Sequence, residues 1–502
     1  MTSQKPLSAL LDGGRVIPRI LALVTILILT CFLARTNADA DLWGHLTFGR
    51  DIVQSRAVHT IDPYSFTSDR QWVNHEWLAE AIMWVSYHWA ASPGLIALKL
   101  LLVWCTGGLL LTAWRPFRLS PIKRDTLLFA TALGVWPSLA TARPQMFSLM
   151  LFAALLSVLA RGRDGRLRTL AFVPAIFLVW VNTHGGWVVG AGALVVFAAC
   201  DLFNGKTTAA VRWAAIATVV ASILAVFINP YGASMLMFLF ETVRPDRADV
   251  IEWQSVFQLP PIAFVLWLIP AGIAAAAMWR GRRAVPIANV LVTLMLAVAS
   301  LRVIRLVSFF ALAVGFLVAP HIWSRQGAST VWSRPTFRDV RMAALSFVPI
   351  AALSIALFGR RITMDGQWLP EPQAAAFIST RHLRGNMLTW FDYGEYAIWH
   401  FSPSIRVSLD GRRETVFSDD VRAAHLKIYT NAPTALDEVE RLNPDYVWLP
   451  IDTPVFQRLR DAGWSPIFLG ARSVILAQGG STVVADNAVA VSGRNLRSFP
   501  GP

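Results

Sequence analysis

The stretch Ala38-Asp-Ala-Asp-Leu-Trp-Gly-His-Leu-Thr-Phe-Gly-Arg-Asp-Ile-Val53 lies between the first two long apolar runs of the 502-residue chain. Apolar and small residues recur at helical spacing here, at Leu42, Leu46, Gly49 and Ile52. This spacing predicts an amphipathic helix that lies at a membrane surface. Asp41 and His45 are four residues apart and therefore share one face of the helix. Asp39 stands where the helix N-cap would be, so a capping role competes with a chemical role for its carboxylate.

Two further polar stretches follow, His59–Thr67 and Trp72–Glu80. The pair Asp62-Pro63 is typical of a turn. His75-Glu76 matches half of a zinc-protease motif, but Ala79 stands where the second histidine would be. A metalloprotease is therefore excluded.

The composition indicates a membrane protein. Hydrophobic residues make up 55% of the chain and charged residues 15%, so a soluble protein could not bury its apolar side chains. The same composition excludes a disordered chain. We predict a mainly α fold with about eleven membrane spans, each near the length that crosses a bilayer. They are Ile17–Ala34, Pro93–Trp114, Thr126–Thr141, Met146–Ala160, Thr169–Asn182, Gly186–Phe203, Trp213–Ile228, Ile262–Met278, Val285–Ser300, Leu306–Pro320 and Met342–Phe358.

The formal net charge of +14 is explained by membrane topology. Lys and Arg are concentrated in every second connection, within residues 5–19, 115–124, 161–168, 206–212, 280–283 and 325–341. Because positively charged connections stay on the cytoplasmic side, this alternation predicts a cytoplasmic N-terminus and an odd number of spans. No nucleic-acid partner is needed to account for the charge.

The topology divides the chain into three parts. Residues 1–358 form the predicted transmembrane domain, with a large first outer loop at 35–92. Residues 359–478 alternate strand-like and helix-like segments, which predicts a small extracytoplasmic α/β domain. Within that domain, Asp410-Gly-Arg-Arg413 is either an acceptor-contacting segment or a simple turn. Residues 479–502 are expected to be a flexible tail.

Polar residues also occur at the outer ends of several predicted spans. They are Arg143, His184, Arg302 and Arg305. Each alone is typical of a snorkelling or capping residue, but with the first-loop carboxylates they form one outward-facing rim. Arginine binds lipid phosphate, and a carboxylate can act as a base towards a hydroxyl acceptor. Lys99, about a turn and a half inside its span, could bind a phosphate or snorkel outward, and we expect it to snorkel outward.

Several of these motifs resemble the first outer loop of bacterial integral-membrane proteins of the C-type (GT-C) glycosyltransferase superfamily, often labelled as similar to protein mannosyltransferases. The matching segments are Asp39-Ala-Asp-Leu-Trp-Gly-His45, His59-Thr-Ile-Asp-Pro-Tyr-Ser-Phe-Thr67 and Trp72-Val-Asn-His-Glu-Trp-Leu78. Trp390-Phe-Asp-Tyr-Gly394 is similar to the Trp-Trp-Asp-Tyr-Gly signature of oligosaccharyltransferases, with Phe391 in place of the second tryptophan. Enzymes of this superfamily take a sugar from a polyprenyl-phosphate or polyprenyl-diphosphate carrier and use a first-loop carboxylate.

The resemblance implies a glycosyltransferase of the bacterial cytoplasmic (inner) membrane, with a polyprenyl-linked sugar donor and a glycan, lipid or protein acceptor. Asp41, or alternatively Asp39, would be the general base, and His45 would orient it or contact phosphate. The candidates for binding the donor phosphate are Arg143, His184, Arg302 and Arg305. The candidates for binding the acceptor are His75, Glu76, Asp392 and Tyr393. No cofactor is required, although Asp39 and Asp41 could hold a divalent cation such as Mg²⁺ or Mn²⁺.

Two other classes of function stay open. The rim could belong to a transporter or flippase for lipid-linked saccharides, since polar residues inside a membrane often line a path. The protein could also be a non-catalytic assembly factor. The inner connections offer mainly Lys and Arg that topology already explains, which favours an enzyme. An enzyme requires Asp41 to face a cavity.

Overall fold

The computed structural model describes residues 13–163, 166–237, 250–281, 284–323, 337–364, 366, 368–479 and 497–501. Within these residues the chain is mainly helical, as predicted, and carries one small sheet near its C-terminal end. The helices are α1 Gly13–Ala34, α2 Leu42–Ser55, α3 Trp77–Trp114, α4 Pro121–Val135, α5 Gln145–Arg163, α6 Phe172–Val181, α7 Trp187–Phe203, α8 Ala209–Val226, α9 Pro261–Arg280, α10 Ile287–Arg302, α11 Val307–Ala313, α12 Phe337–Phe358, α13 Pro372–Thr380, α14 Gly394–Phe401, α15 Asp419–Tyr429, α16 Ala435–Leu442 and α17 Phe456–Asp461.

Five helical segments of the described chain are long and apolar enough to cross a membrane. They are Trp77–Phe117, Gln145–Gly162, Ala209–Val226, Pro261–Arg280 and Ile304–Trp323. Shorter apolar helices run over Ile20–Ala34, Leu167–Val181, Trp187–Phe203, Ile287–Arg302 and Ala343–Phe358. The count of about eleven spans is not confirmed by these segments and stays a prediction.

Helix α3 is broken near its middle. Ala90 and Ala91 leave the helical conformation, and Ala91 has a φ of 50° in the left-handed region. Pro93 follows, and a proline has no N–H to donate and clashes with the preceding turn. The predicted span Pro93–Trp114 therefore begins just after the break, and the part before it belongs to the first loop.

The sheet contains five strands in the order β2-β1-β3-β5-β4. The strands are β1 Gly385–Thr389, β2 Ile405–Val407, β3 Tyr446–Pro450, β4 Trp464–Leu469 and β5 Ser473–Gln478. β1 pairs in parallel with β2 and β3, whereas β5 pairs antiparallel with β3 and β4. Helix α14 connects β1 to β2, and helices α15 and α16 connect β2 to β3, as parallel strands require. Residues 368–479 are called the α/β domain below; the bounds 359–478 stay a prediction.

Helix α2 is covered by the α/β domain instead of lying at a membrane surface, so that expectation was wrong. Most of its residues are buried, and α14 packs against it. The Gly44 N–H donates a hydrogen bond to Glu395 Oε2 at 3.1 Å, where a β-carbon on Gly44 would collide with that carboxylate. Trp43 donates from Nε1 to the Pro500 carbonyl at 2.8 Å, and Phe499 is buried beside it. The last described residues thus pack on the fold, whereas most of the predicted tail lies outside the described residues.

Arg412 joins the first loop to the α/β domain. Its NH1 contacts Asp62 Oδ1 at 2.6 Å, and its NH2 contacts Asp410 Oδ2 at 2.7 Å. Three aromatic rings surround the guanidinium with centroids 4.9 to 5.3 Å away, those of Phe48, Tyr64 and Trp72. The Asp62-Pro63 turn forms as predicted, since the Tyr64 N–H donates to Asp62 Oδ1 at 2.9 Å. Asp410 and Arg412 are therefore part of a domain junction.

The expectation that Lys99 snorkels outward was also wrong. Lys99 is fully buried, and its Nζ donates to the Arg35 carbonyl at 3.2 Å, to Thr36 Oγ1 at 2.6 Å and to the Leu139 carbonyl at 3.0 Å. These acceptors lie just after α1 and at the end of the helical turn that follows α4. Lys99 thus ties together the two segments that lead into the carboxylates and the arginine of the candidate site.

Candidate active site

A cavity of about 1400 Å³ lies between the helical part of the chain and the α/β domain. Its walls combine the first loop, the segment before α5, the turn at Ile251–Trp253 and the face of the α/β domain around Gly411. Seven of the predicted site residues line it, namely Asp41, His45, His75, Glu76, Arg143, Arg305 and Asp392. The structure therefore brings together residues that are up to 351 positions apart in the sequence.

Arg143 is the centre of a group of three carboxylates. Its Nε contacts Asp39 Oδ2, its NH2 contacts Asp41 Oδ2 at 2.9 Å, and its NH1 contacts Glu252 Oε1. Each guanidinium nitrogen therefore holds a different acid. Burial alone would lower the pKa of Arg143, but the three negative charges raise it well above its ordinary value. The guanidinium thus stays charged at every working pH.

Asp41 faces the cavity from the start of α2. It occupies the N-cap position without a capping side-chain bond, whereas Asp39, the predicted cap, lies further back against Arg143. Burial raises the pKa of Asp41 to about 6; the charges of Asp39 and Glu252 add to this rise, and those of Arg143 and His45 oppose it. A carboxylate with this pKa is ionised at neutral pH and can still accept a proton.

His45 forms a compact group with Glu76 and Glu80. His45 Nδ1 lies 3.0 Å from Glu80 Oε1 and 3.8 Å from Glu76 Oε2, and Asn74 donates to Glu80 Oε2 at 2.6 Å. Burial opposes the charged imidazole, but the hydrogen bond to Glu80 and the nearby carboxylates outweigh it. They raise the pKa of His45 to about 9.

This group, rather than the Asp39 and Asp41 pair, could hold a metal ion. The ligand atoms of His45, Glu76 and Glu80 all lie within 4.8 Å of one another. One imidazole with two carboxylates is a donor set that Zn²⁺ or Mn²⁺ accepts. Asp39 and Asp41 do not fit the predicted metal role, because a guanidinium already supplies the positive charge between them.

His184 and Arg302 are not brought to the cavity wall of the described chain. His184 is buried: its Nδ1 accepts a hydrogen bond from the Gly186 N–H at 2.9 Å, and its Nε2 lies 2.9 Å from Arg305 NH2. Burial, together with the charge of Arg305, lowers the pKa of His184 to about 3, so it is neutral. His184 thus positions Arg305 from behind. Arg302 is exposed at the end of α10.

The two acceptor candidates of the α/β domain differ in position. Asp392 lines the cavity, and burial raises its pKa above the ordinary value. Tyr393 is only 2% exposed and packs against Trp448 with ring centroids 5.1 Å apart. Within the described chain, the Tyr393 side chain belongs to the domain core and not to the cavity wall.

Five acids that line the cavity were not predicted from the sequence, namely Glu80, Glu252, Glu395, Glu414 and Asp419. The first three lie beside His45, Arg143 and Asp41, respectively. Glu395 is 4% exposed and lies beside Asp41, since a β-carbon on Gly411 would collide with both carboxylates. Burial and the charges of Asp41 and Asp410 raise the pKa of Glu395 well above its ordinary value, so it is the protonated partner of the pair. Two of these acids had a signal in the sequence. Glu80 stands four residues after the candidate Glu76, and Glu395 directly follows the Trp390–Gly394 segment. Glu252 has no such signal.

Comparison with known proteins gives structural neighbours only. No protein-family model matches the sequence, and no curated protein matches it either. The oligosaccharyltransferase from Archaeoglobus fulgidus superposes with a TM-score of 0.52 at 12% identity, over 86% of this chain and 70% of that chain. ArnT from Cupriavidus metallidurans bound to undecaprenyl phosphate gives a TM-score of 0.51 at 14% identity, over 94% and 99%. The arabinofuranosyltransferase AftD from Mycobacteria gives 0.50 at 17% identity, over 92% of this chain and 42% of that chain.

These neighbours agree with the family that the first-loop motifs resemble. Their identities are too low to transfer an activity, and the likeness shows an architecture. The similarity extends over both the helical part and the α/β domain, because it covers at least 86% of this chain in all three cases. The chain therefore has the same fold as these neighbours, in line with the resemblance of the first-loop motifs to GT-C glycosyltransferases.

Proposed function

We propose that the protein transfers a sugar from a polyprenyl-phosphate carrier to an acceptor hydroxyl, with Asp41 as the general base. The observation that carries the proposal is the position of Asp41: its carboxylate lines a cavity of about 1400 Å³ and is held by Arg143 at 2.9 Å. Two of the three neighbouring folds are sugar transferases by their printed names, and one is bound to a prenyl phosphate. This setting favours an enzyme over a transporter or an assembly factor.

The reaction is an inverting substitution at the anomeric carbon. The acceptor hydroxyl gives its proton to Asp41 while its oxygen forms the new glycosidic bond. The bond between the anomeric carbon and the phosphate oxygen breaks on the opposite face, and its electron pair goes to the lipid phosphate. Asp41 is poised for this step because it is ionised at neutral pH and remains basic enough to take the proton.

Arg143 and Arg305 would stabilise the negative charge that develops on the departing phosphate. Both line the cavity, and both contact Glu252. Fixed positive groups that face developing charge in a partly dry site are the largest single contribution to many enzymatic rates. His184 would act indirectly, as a positioning residue for Arg305.

The acceptor would approach from the α/β domain. That wall carries Trp390, Phe391 and Asp392 at the start of the Trp-Phe-Asp-Tyr-Gly segment. Aromatic faces pack against the apolar face of a sugar ring, and a carboxylate accepts hydrogen bonds from its hydroxyls. His75 and Glu76, on the first loop, would contact the acceptor from the other side. A glycan, lipid or protein that presents a hydroxyl therefore suits this wall.

A divalent cation at His45, Glu76 and Glu80 would add positive charge next to the donor phosphate. The three ligand atoms are close enough, and all three residues line the cavity. Ligation requires a neutral imidazole, so cation binding there would release the proton that His45 otherwise holds. Without a cation, the same residues form a satisfied ion-pair network.

The proposed location is the bacterial cytoplasmic membrane, with the N-terminus inside and the cavity outside. The distribution of Lys and Arg supports this orientation, because these residues are concentrated in the connections that alternate in sequence with the first loop. A polyprenyl-linked donor is amphipathic and would reach the cavity from the lipid side.

The test is the substitution Asp41→Asn in membranes that contain a polyprenyl-phosphate sugar. Loss of the base is expected to lower transfer by about 10²–10⁴-fold. Asp437→Asn, at an exposed carboxylate of α16, is the matched control and should transfer at the wild-type rate. Undiminished consumption of the donor by correctly inserted Asp41→Asn protein would contradict the assignment.

A further inference from the structure

Glu252 occupies an unusual place between two arginines. Its Oε1 contacts Arg143 NH1, and its Oε2 lies 3.7 Å from Arg305 NH1. The two arginines come from different elements, one from the segment before α5 and the other from the turn before α11. Guanidinium groups that converge from separate elements on a single carboxylate form a site for one anion.

The other partners of Arg143 differ from Glu252 in exposure. The side chain of Asp39 is 14% exposed and that of Asp41 is 29% exposed, whereas that of Glu252 is 38% exposed. Asp39 and Asp41 contact Nε and NH2, so the NH1 edge of the guanidinium serves Glu252. An anion that replaced Glu252 would therefore leave the proposed base and its neighbour in place.

The backbone around Glu252 does not have to move for such a replacement. The Gln254 carbonyl accepts a hydrogen bond from the Ile304 N–H at 3.0 Å, and Ser255 Oγ donates to the Leu301 carbonyl at 2.8 Å. These bonds anchor the segment beside the helical turn that carries Arg305. A rotation of the Glu252 side chain, which is 38% exposed, is sufficient to free NH1 of Arg143 and NH1 of Arg305.

We propose that the carboxylate of Glu252 stands in the place of the donor phosphate, so that donor binding exchanges one anion for another. The inference rests on the proposed function. It adds that Glu252 occupies Arg143 and Arg305 before the donor binds. Glu252 acts as an internal competitor: its carboxylate blocks the binding of other anions to Arg143 and Arg305, and a prenyl phosphate must displace it.

The same geometry selects a donor with one phosphate group. A single carboxylate fills the space between the two guanidinium groups. Three of the other four arginines on the cavity wall are already paired with acids. They are Arg412 with Asp62 and Asp410, Arg413 with Glu414, and Arg422 with Asp419. Six carboxylates line the same cavity near Asp41 or contact Arg143: Asp39, Asp41, Glu76, Glu80, Glu252 and Glu395. A diphosphate would meet this surplus of acids with two negative groups, so we assign a monophosphate donor.

The test measures binding of farnesyl phosphate, inorganic phosphate and farnesyl diphosphate to the purified full chain, with EDTA present. Glu252→Gln keeps the size of the side chain and removes its charge. Since two partly exposed ion pairs no longer compete, Glu252→Gln is expected to bind farnesyl phosphate about 3- to 10-fold more tightly than the wild type. Inorganic phosphate should gain by the same factor, and farnesyl diphosphate should bind no more tightly than the monophosphate. Glu440→Gln, at an exposed glutamate of α16, is the control and should leave all three affinities unchanged.

Unchanged or weaker binding of farnesyl phosphate by Glu252→Gln would overturn the exchange of anions. If Glu252→Gln binds farnesyl phosphate more tightly but not inorganic phosphate, the effect comes from the prenyl chain. This result would also overturn the exchange of anions. Tighter binding of the diphosphate in EDTA would overturn the assignment of a single phosphate. If neither the wild type nor Glu252→Gln binds any prenyl phosphate, the proposed function itself fails.

Discussion

Two arginines of this protein each hold several carboxylates, but Arg412 is buried whereas Arg143 is partly exposed. Arg412 joins Asp62 and Asp410, whose side chains are fully buried, and aromatic rings enclose it. Arg143 joins Asp39, Asp41 and Glu252. Of these, Arg143, Asp41 and Glu252 line the cavity, whereas Asp39 is not on its wall in the described chain. We call Arg412, Asp62 and Asp410 the closed cluster; it fixes the α/β domain on the first loop. We call Arg143, Asp39, Asp41 and Glu252 the open cluster; it holds three acids instead of two and presents Asp41 and Glu252 to the cavity.

The largest expected effect concerns the closed cluster. Arg412→Leu leaves two carboxylates buried without a cation, and breaking a buried ion pair in this way costs about 3–5 kcal/mol. We expect a markedly lower unfolding temperature in detergent, measured by thermal unfolding of the purified protein. Arg441→Leu removes a 57% exposed arginine of α16 and should stay within about 0.5 kcal/mol of the wild type. Wild-type stability of Arg412→Leu would remove the distinction between the two clusters.

The open cluster should respond in activity instead of stability. In the proposed mechanism Arg143→Leu removes a charge that faces the departing phosphate, so we expect transfer to fall about 10²–10³-fold. Asp41 and Glu252 line the cavity and can contact water there, so the unfolding temperature should change less than in Arg412→Leu. Arg143→Lys should recover little, because one ammonium cannot hold three carboxylates in a fixed fork. Initial rates and thermal unfolding on the same preparations give both quantities. A loss of stability in Arg143→Leu equal to that in Arg412→Leu would contradict a role of the open cluster in transfer instead of stability.

The pH dependence distinguishes the two groups nearest to the open cluster. Asp41 must be ionised to act as a base, so kcat/KM should fall about tenfold per pH unit below its pKa of about 6. His45 has its pKa raised to about 9, so its contribution to stability is complete below about 6.5 and is lost as the pH rises through about 9. A pH series of kcat/KM and of unfolding temperature measures both limits. An activity that stays constant down to pH 4 would contradict the role of Asp41.

The smallest effect is expected at an arginine that belongs to neither cluster. Arg302 is exposed at the end of α10 and lies off the cavity wall of the described chain. Arg302→Gln should change the transfer rate by less than about twofold, because an exposed charge contributes little. Rates at several donor concentrations are the measurement. A tenfold rise in the KM for the donor would restore Arg302 to the phosphate site that the sequence predicted.

The sequence predicted the parts that depend on local pattern. Apolar runs predicted a helical membrane domain, and the alternation of strand and helix signals predicted the C-terminal sheet. The four-residue spacing of Asp41 and His45 placed both on the cavity side of α2. The sequence did not reveal which element covers α2 or that Lys99 is enclosed by backbone carbonyls, since both depend on contacts between distant segments. Glu252 stands in a short turn and carries no periodic signal. Glu395 directly follows the Trp390–Gly394 segment, but its place against α2 depends on a contact across 351 positions.

The contact between Gly44 and Glu395 has a consequence for the order of events during synthesis. The two residues are separated by 351 positions, and chains are made at about 5–20 residues per second, so α2 is produced roughly 20–70 s before its cover. In the proposed orientation the first loop has by then crossed the membrane, and the tryptophans and acids that the α/β domain later buries are still open to solvent. A protease or a chaperone on that side of the membrane therefore has a defined window in which to act on the loop, which closes when the α/β domain docks.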